Sequence, residues 1–197
     1  MRQNQARRAA LLDAAIDVLA REGARGLTFR AVDAQAEVPG GTASNYFANR
    51  DDLLTQAGAR IYERLEPDAA TLARSLEGPR DRERVTQLMH ELVDRISTYR
   101  TGYLALLELR LEATRRPGLR AVLTPRIRAD IDANVDYHLR SGLPGDATAV
   151  MLLYLAMNWL IVEQLTLPEV FTQEQLRDLV ERAVERLIPE SDRSGAG

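Results

Sequence analysis

Residues 27–54 read LTFRAVDAQAEVPGGTASNYFANRDDLL, and the fold follows from how this stretch divides. It reads as two short helices joined by a tight turn, followed by the start of a third. Thr28 caps the first, because its hydroxyl can accept an orphan backbone N–H of the opening turn. Val32 and Ala36 lie four residues apart on one face, flanked by Phe29. Glu37-Val38-Pro39 then breaks the pattern: proline holds Val38 extended and suits the first turn of a following helix. That second helix, Pro39 to Phe47, carries almost no bulk before Tyr46-Phe47. Such a helix adds little core. Its small and hydrogen-bonding residues suit close approach to another polar surface, as a helix laid in the major groove of DNA requires. For GGT alone, the alternative is a glycine-rich loop between two ordinary helices.

The whole stretch is more specific than that. It resembles the N-terminal domain of the TetR family of transcriptional regulators. The resemblance is carried by Gly23, Leu27-Thr28, Ala31, Ala36, Val38, Gly41-Thr42, Tyr46-Phe47, Arg50, Asp51 and Leu53, in register and without gaps. Two positions depart from the family. Glu37 stands where the family usually has glycine, and a non-glycine residue in a left-handed conformation there would cost roughly 1–2 kcal/mol. Ser44 stands where the family usually has an aromatic residue, which removes one phosphate or packing contact and enlarges the role of Asn45.

The resemblance implies roles for individual residues. Thr28, Tyr46 and Arg50 would contact phosphates and set register, with Arg30 placed beside them. Gly40, Gly41, Thr42, Ser44 and Asn45 would meet base edges. Asn45 could pair bidentately with adenine, and Thr42 could touch a thymine methyl.

Composition is compatible with this. The chain has 197 residues, of which 45% are hydrophobic and 28% charged, so a packed core is expected and disorder is not indicated. There is no cysteine, which removes disulfides, thiol catalysis and thiolate metal sites together. A formal net charge of −3 is unusual for a nucleic-acid binder. Its distribution is not: the first 50 residues hold seven arginines and five acids, and the remainder nineteen and twenty-four. A basic end on an acidic body is expected when only the first segment faces phosphate. Arg7-Arg8 has no apolar leader behind it, and the apolar run Ala149–Val162 is shorter than the roughly 20 residues of a membrane span. These features point to a cytoplasmic protein with no membrane partner.

Every segment outside the loops carries helical periodicity, and none alternates with period two, so the expected fold is all-α with about nine helices. Residues 7–22 form the first helix, ended by Gly23. Arg7 and Arg8 read equally as a solvated helix start or as phosphate contacts. Asn49 caps a helix whose apolar face is Leu53, Leu54, Ala57, Ile61 and Leu65. Further helices are expected from Asp81, over Tyr103–Thr114, over Leu119–Leu139 through Pro125, over Ala147–Leu165 behind an Asp146 cap, and from Thr172. Phe171, Thr172, Gln175 and Leu176 combine a capping box with a hydrophobic staple. The organisation expected is a helix-turn-helix head over residues 1–50, a helical ligand-binding and dimerisation body over 51–190, and a flexible tail over 191–197.

The helix from Ala147 is apolar nearly all round, so it needs cover on every side. A homodimer interface supplies it, with Met151, Leu152 and Leu155 meeting Leu179, Val180 and Ala183 of the last helix. A dimer through the last two helices is also what the resemblance implies, with monomer core as the alternative. The resemblance further implies a pocket for a small-molecule effector in the body. Its candidate lining is Met89, Tyr103, Leu106, Arg110, Tyr137, Asn158 and Trp159, polar or aromatic residues and their neighbours inside apolar helices. Each of these could equally be packing. His90 and His138 form no metal-ligand spacing, and no phosphate loop, nucleophile elbow or cofactor motif is present. The expected protein is therefore a non-enzymatic, ligand-responsive, sequence-specific regulator of transcription, most simply a repressor on a near-palindromic duplex. The rival is an all-helical small-molecule-binding protein or enzyme with a vestigial head.

Overall fold

Local signals account for most helix starts in the computed structural model, which describes residues 2–190. The side chains of Thr28, Asn49, Asp146 and Thr172 each accept a backbone N–H of the helix they open. The Thr172 cap is a full capping box: Thr172 N donates to Gln175 Oε1 at 2.9 Å and Gln175 N to Thr172 Oγ1 at 3.2 Å. The helices are α1 (Arg2–Gly26), α2 (Phe29–Gln35), α3 (Arg50–Leu65), α4 (Ala69–Ser75), α5 (Arg82–Thr98), α6 (Arg100–Ala113), α7 (Pro117–Ser141), α8 (Ala147–Thr166) and α9 (Gln173–Leu187). No strand occurs among the described residues. The tail expected to be flexible, 191–197, lies outside them.

The helix total matches expectation, but its membership differs. The expected helix Pro39–Phe47 is a single 3-10 turn, Ala43–Asn45. Gly41 has φ 89, and a left-handed residue cannot continue a right-handed α-helix. The missing member is replaced by α4, for which the sequence carries no helical apolar stripe. Asp68 opens α4 by accepting Thr71 N at 2.7 Å, but no α4 residue is buried. It therefore shows no apolar face to detect.

The chain packs as two units, Met1–Glu66 with Tyr99–Ile127, and Pro67–Thr98 with Arg128–Gly197. Packing in the first unit continues across residue 50. Leu53, Leu54, Ala57 and Ile61 of α3 share one core with Leu11, Ala15, Ile16, Val18 and Leu19 of α1, and with Ala105, Leu106 and Leu109 of α6. Gly58 lets α3 approach α6 and α7, since a Cβ there would stand 3.2 Å from Leu123 and 3.4 Å from Leu109. The second unit is built on α5, α8 and α9, each packing on the other two.

The apolar helix α8 is longer than its core run suggested. Its 20 residues, with mean hydropathy 1.4, are enough in length and composition to cross a membrane. Val150, Leu153, Met157, Ile161 and Leu165 are instead buried within the unit.

The turn after α2 is a Schellman motif, with Val38 N donating to Asp33 O at 3.0 Å and Glu37 N to Ala34 O at 3.2 Å. Glu37 occupies its left-handed position with φ 53. Glu37→Gly is therefore expected to raise stability by about 1 kcal/mol, the left-handed penalty less the extra freedom of glycine in the unfolded chain. In a domain of this size that is a rise of about 2–4 °C in Tm, measurable by thermal denaturation. An unchanged or lower Tm would contradict it.

Candidate nucleic-acid interface

The segment from Pro39 to Phe47 is anchored at its far end. Ala43 is fully buried and Phe47 is 1% exposed, four residues apart. Phe47 N bonds back to Ala43 O at 3.0 Å. Between these anchors Ser44 and Asn45 are exposed, with Gly40 and Gly41 exposed before them. Two hydroxyls are engaged locally: Thr42 Oγ1 donates to Pro39 O at 2.5 Å and Ser44 Oγ to Gly41 O at 2.8 Å. Asn45 makes no side-chain hydrogen bond within the described chain, so its amide keeps both donor and acceptor for an outside partner. A Cβ on Gly40 or Gly41 would meet nothing within 4 Å. Within the chain, Gly41 is required for its left-handed φ rather than for a close approach.

The flanking residues divide into exposed and inward-facing groups. Thr28 is exposed, and its hydroxyl accepts Ala31 N at 3.1 Å, leaving its proton free to donate. Arg30 is exposed on α2. Tyr46 is half-buried against the core. Arg50 behaves differently from the expected phosphate contact. Its Nε donates to Leu27 O at 3.0 Å and its Nη2 to Ala24 O. These carbonyls lie where α1 ends and α2 begins. Gly23, at φ 68, breaks the helical backbone just before them. The Ala24 N–H released by that break is accepted by Glu108 Oε2 of α6 at 3.3 Å. Glu108 thus takes up the freed Ala24 N–H, while Arg50 bonds Leu27 O and adds a second donor to Ala24 O, which also accepts Leu27 N at 3.3 Å.

Arg8 is also held by the fold. Its guanidinium donates to Gln56 Oε1 at 2.9 and 2.5 Å and lies 5.2 Å over the Phe47 ring. Asn49 accepts Asp52 N at 2.9 Å, while Asp52 accepts Ala48 N at 3.0 Å. Hydrogen bonds from Gln56 and then Ala48 hold the Asp52 carboxyl below its ordinary pKa. On α1, burial pushes the Asp13 carboxyl up, but the Arg60 and Arg64 guanidiniums outweigh it and leave the carboxyl lowered.

The expected effector residues fall in different packing units. Tyr103 and Leu106 are buried in the first unit, where Arg110 is exposed. Met89, Tyr137 and Asn158 are half-buried in the second. Tyr137 Oη bonds with Ser75 Oγ and donates to Leu72 O at 3.2 Å. Asn158 Nδ2 donates to Tyr154 O, one turn earlier in α8, at 2.9 Å. A groove of about 160 Å³ in the second unit includes His90, Asp94 and Arg177 but none of the expected residues. It is smaller than the roughly 300–1,000 Å³ of drug-sized ligand pockets.

The expected dimer residues also separate. Leu152, Leu155 and Trp159 are 46%, 54% and 64% exposed and recur at helical spacing. They form one apolar stripe on α8, so Trp159 belongs with the leucines rather than inside a pocket. Met151, Leu179 and Ala183 are half-buried. Val180 is 2% exposed, packed inside its own unit in the row Leu176, Val180, Val184.

Comparison with known proteins identifies both segments. Residues 11–57 match the family model of bacterial regulatory proteins, tetR family. Residues 80–190 match that of the tetracyclin repressor-like C-terminal domain. No curated protein matches the sequence. Among solved structures, the multidrug binding protein EbrR complexed with ethidium is 28% identical, with a TM-score of 0.65 over 92% of this chain and 98% of that one. A TetR-family member from Streptomyces coelicolor A3 is also 28% identical, with a TM-score of 0.68 over 93% and 98%. A transcriptional regulator from a Rhodococcus species shares the fold at 17% identity, with a TM-score of 0.70 over 91% and 95%. With a helix-turn-helix head and a helical body both matched along their length, the chain belongs to the TetR family of transcriptional regulators.

Proposed function

We propose that the protein is a homodimeric, cytoplasmic repressor that binds a near-palindromic DNA operator and is released from it by a small organic effector. The observation that carries this reading is the exposed face of Gly40, Gly41, Ser44 and Asn45, held by the buried anchors Ala43 and Phe47, with the Asn45 side chain bonded to none of the described residues. Side chains presented from a rigid backbone are what base-edge recognition requires. Thr28, Arg30 and Tyr46 flank this face and supply phosphate contacts. The exposed stripe of Leu152, Leu155 and Trp159, with Leu179 and Ala183 of α9, supplies the dimer contact. Two-fold symmetry then sets half-sites about one helical turn apart, roughly 34–36 Å, or a multiple of it. EbrR, at 28% identity, is a multidrug binding protein solved with ethidium. That supports an organic effector here, held by the body near Met89, Tyr137 and Asn158. A coupling of about 1–3 kcal/mol between effector and operator suffices for a switch.

The test is fluorescence anisotropy against duplex from the protein's own upstream region and against a scrambled duplex, at fixed moderate salt. Tight binding to the first alone is expected. Equal weak binding to these and to duplexes recovered by random-sequence selection would overturn the reading. On a bound site, Asn45→Ala is expected to cost about 1–3 kcal/mol and to relax preference at one base pair. Unchanged sequence preference would remove Asn45 from base recognition.

A further inference from the structure

Asp33 is a buried charge that base and phosphate contacts leave without a role. It lies on α2, is 2% exposed, and accepts two backbone N–H groups from the recognition segment. Gly41 N donates to Asp33 Oδ2 and Ala43 N to Asp33 Oδ1, each at 2.7 Å. Between these donors the backbone changes hand, with φ 89 at Gly41 and φ −64, ψ −50 at Thr42. Alternation of that kind turns nearby N–H groups to one side and makes an anion-binding concavity. Here the anion is the protein's own carboxylate.

The rest of the segment shows why this matters. Its end is fixed by Ala43 and Phe47 in the core. Its start is held less: Val38 ahead of it packs only partly against the core, and a Cβ at Gly40 or Gly41 would touch nothing. The bonds of Thr42 N and Thr42 Oγ1 to Pro39 O are internal and move with the segment. A buried carboxylate bonded to two N–H groups is a strong tether, because charge-assisted hydrogen bonds are roughly twice as strong as neutral ones.

We propose that Asp33 is a positioning residue for DNA recognition. It acts as an internal anion that holds the start of the recognition segment and fixes the angle at which Ser44 and Asn45 face outward. The proposal rests on the DNA-binding reading above. It also assigns the Gly41 and Ala43 N–H groups to Asp33 and away from phosphate, so the segment meets DNA through side chains.

Asp33→Asn keeps the size but replaces one acceptor oxygen with an N–H donor facing an N–H. Asp33→Ala empties the concavity and leaves room for a small carboxylate. The experiment uses the full chain and two readouts: amide hydrogen exchange at Gly41 and Ala43 without DNA, and anisotropy on selected and scrambled duplexes. Formate replaces chloride at constant ionic strength as the probe. Both variants are expected to speed exchange at these two amides about tenfold or more, relative to α1 amides, and to weaken selected-duplex binding similarly. Formate is expected to reverse part of both effects in Asp33→Ala and neither in Asp33→Asn. Exchange unchanged at both amides, or wild-type affinity for the selected duplex, would overturn the proposal. If Asp33→Ala speeds exchange throughout, Asp33→Asn decides by the same two readouts. A wild-type protein that selects no duplex would instead sink the DNA-binding reading, while the exchange result still judges whether Asp33 holds the segment.

Discussion

Arg50→Ala is expected to lower the stability of the protein by about 3 kcal/mol, since hydrogen bonds to charged groups contribute about 1.5–3 kcal/mol each and two are lost. The carbonyls of Ala24 and Leu27 would lose their guanidinium partner together. In a domain of this size that is a fall of about 6–12 °C in Tm. Two further measurements separate this role from a phosphate contact. If Arg50 bound phosphate, its removal would lower the salt dependence of DNA binding by about one counterion. With Nε and one Nη2 donor turned inward, the slope is expected to stay the same at temperatures where the variant is folded. Arg50→Lys should rescue little, because an ammonium cannot present two fixed donors to two carbonyls. A stable variant with a reduced salt slope would restore the phosphate role.

With the proposed dimer formed through the α8 stripe, Leu155→Arg is expected to give a monomer by light scattering and to weaken binding to the proposed operator by about 10²–10⁴-fold, the gain that linking two binding modules provides. Leu155 is 54% exposed within the chain, so the substitution should leave each subunit folded. It would place a charge at the centre of the stripe between Leu152 and Trp159. Unchanged far-UV circular dichroism with halved mass is the expected pair of results. A dimer of wild-type mass would move the interface elsewhere. Val180 gives the contrasting control. It is buried within its own unit, so Val180→Arg should unfold that unit rather than dissociate it cleanly.

Legibility in the sequence follows the distance between a residue and its partner. Thr28, Asn49, Asp146 and Thr172 were legible because a cap bonds a backbone N–H two or three positions away. Glu37 was legible only through the family resemblance, which has glycine at that position; the Schellman turn that makes it left-handed is closed within six residues. Arg50 was not, because its partners lie 26 and 23 residues back at the α1 corner. Glu108 was less legible still, since it reaches Ala24 across 84 positions. Asp33 was near enough in sequence, eight and ten residues from its partners. It is nonetheless illegible, because nothing in the sequence distinguishes a buried acid from a solvated one on a short helix.

What the sequence determined by itself is most of the helices, though not α4 or the single turn at Ala43–Asn45, and the caps at Thr28, Asn49, Asp146 and Thr172. These depend on backbone preferences and apolar spacing, which act over one or two turns of chain. Tertiary structure decided how those pieces are used. It placed α3 and α6 in the same core as α1, assigned Tyr103 and Leu106 to one packing unit and Met89 and Asn158 to the other, and grouped Trp159 with Leu152 and Leu155 on one exposed stripe. It also turned Arg50 inward and filled the concavity at Gly41 with Asp33. The physical reason is that burial and hydrogen-bond partners belong to pairs of distant groups, and a linear pattern records only one member of each pair.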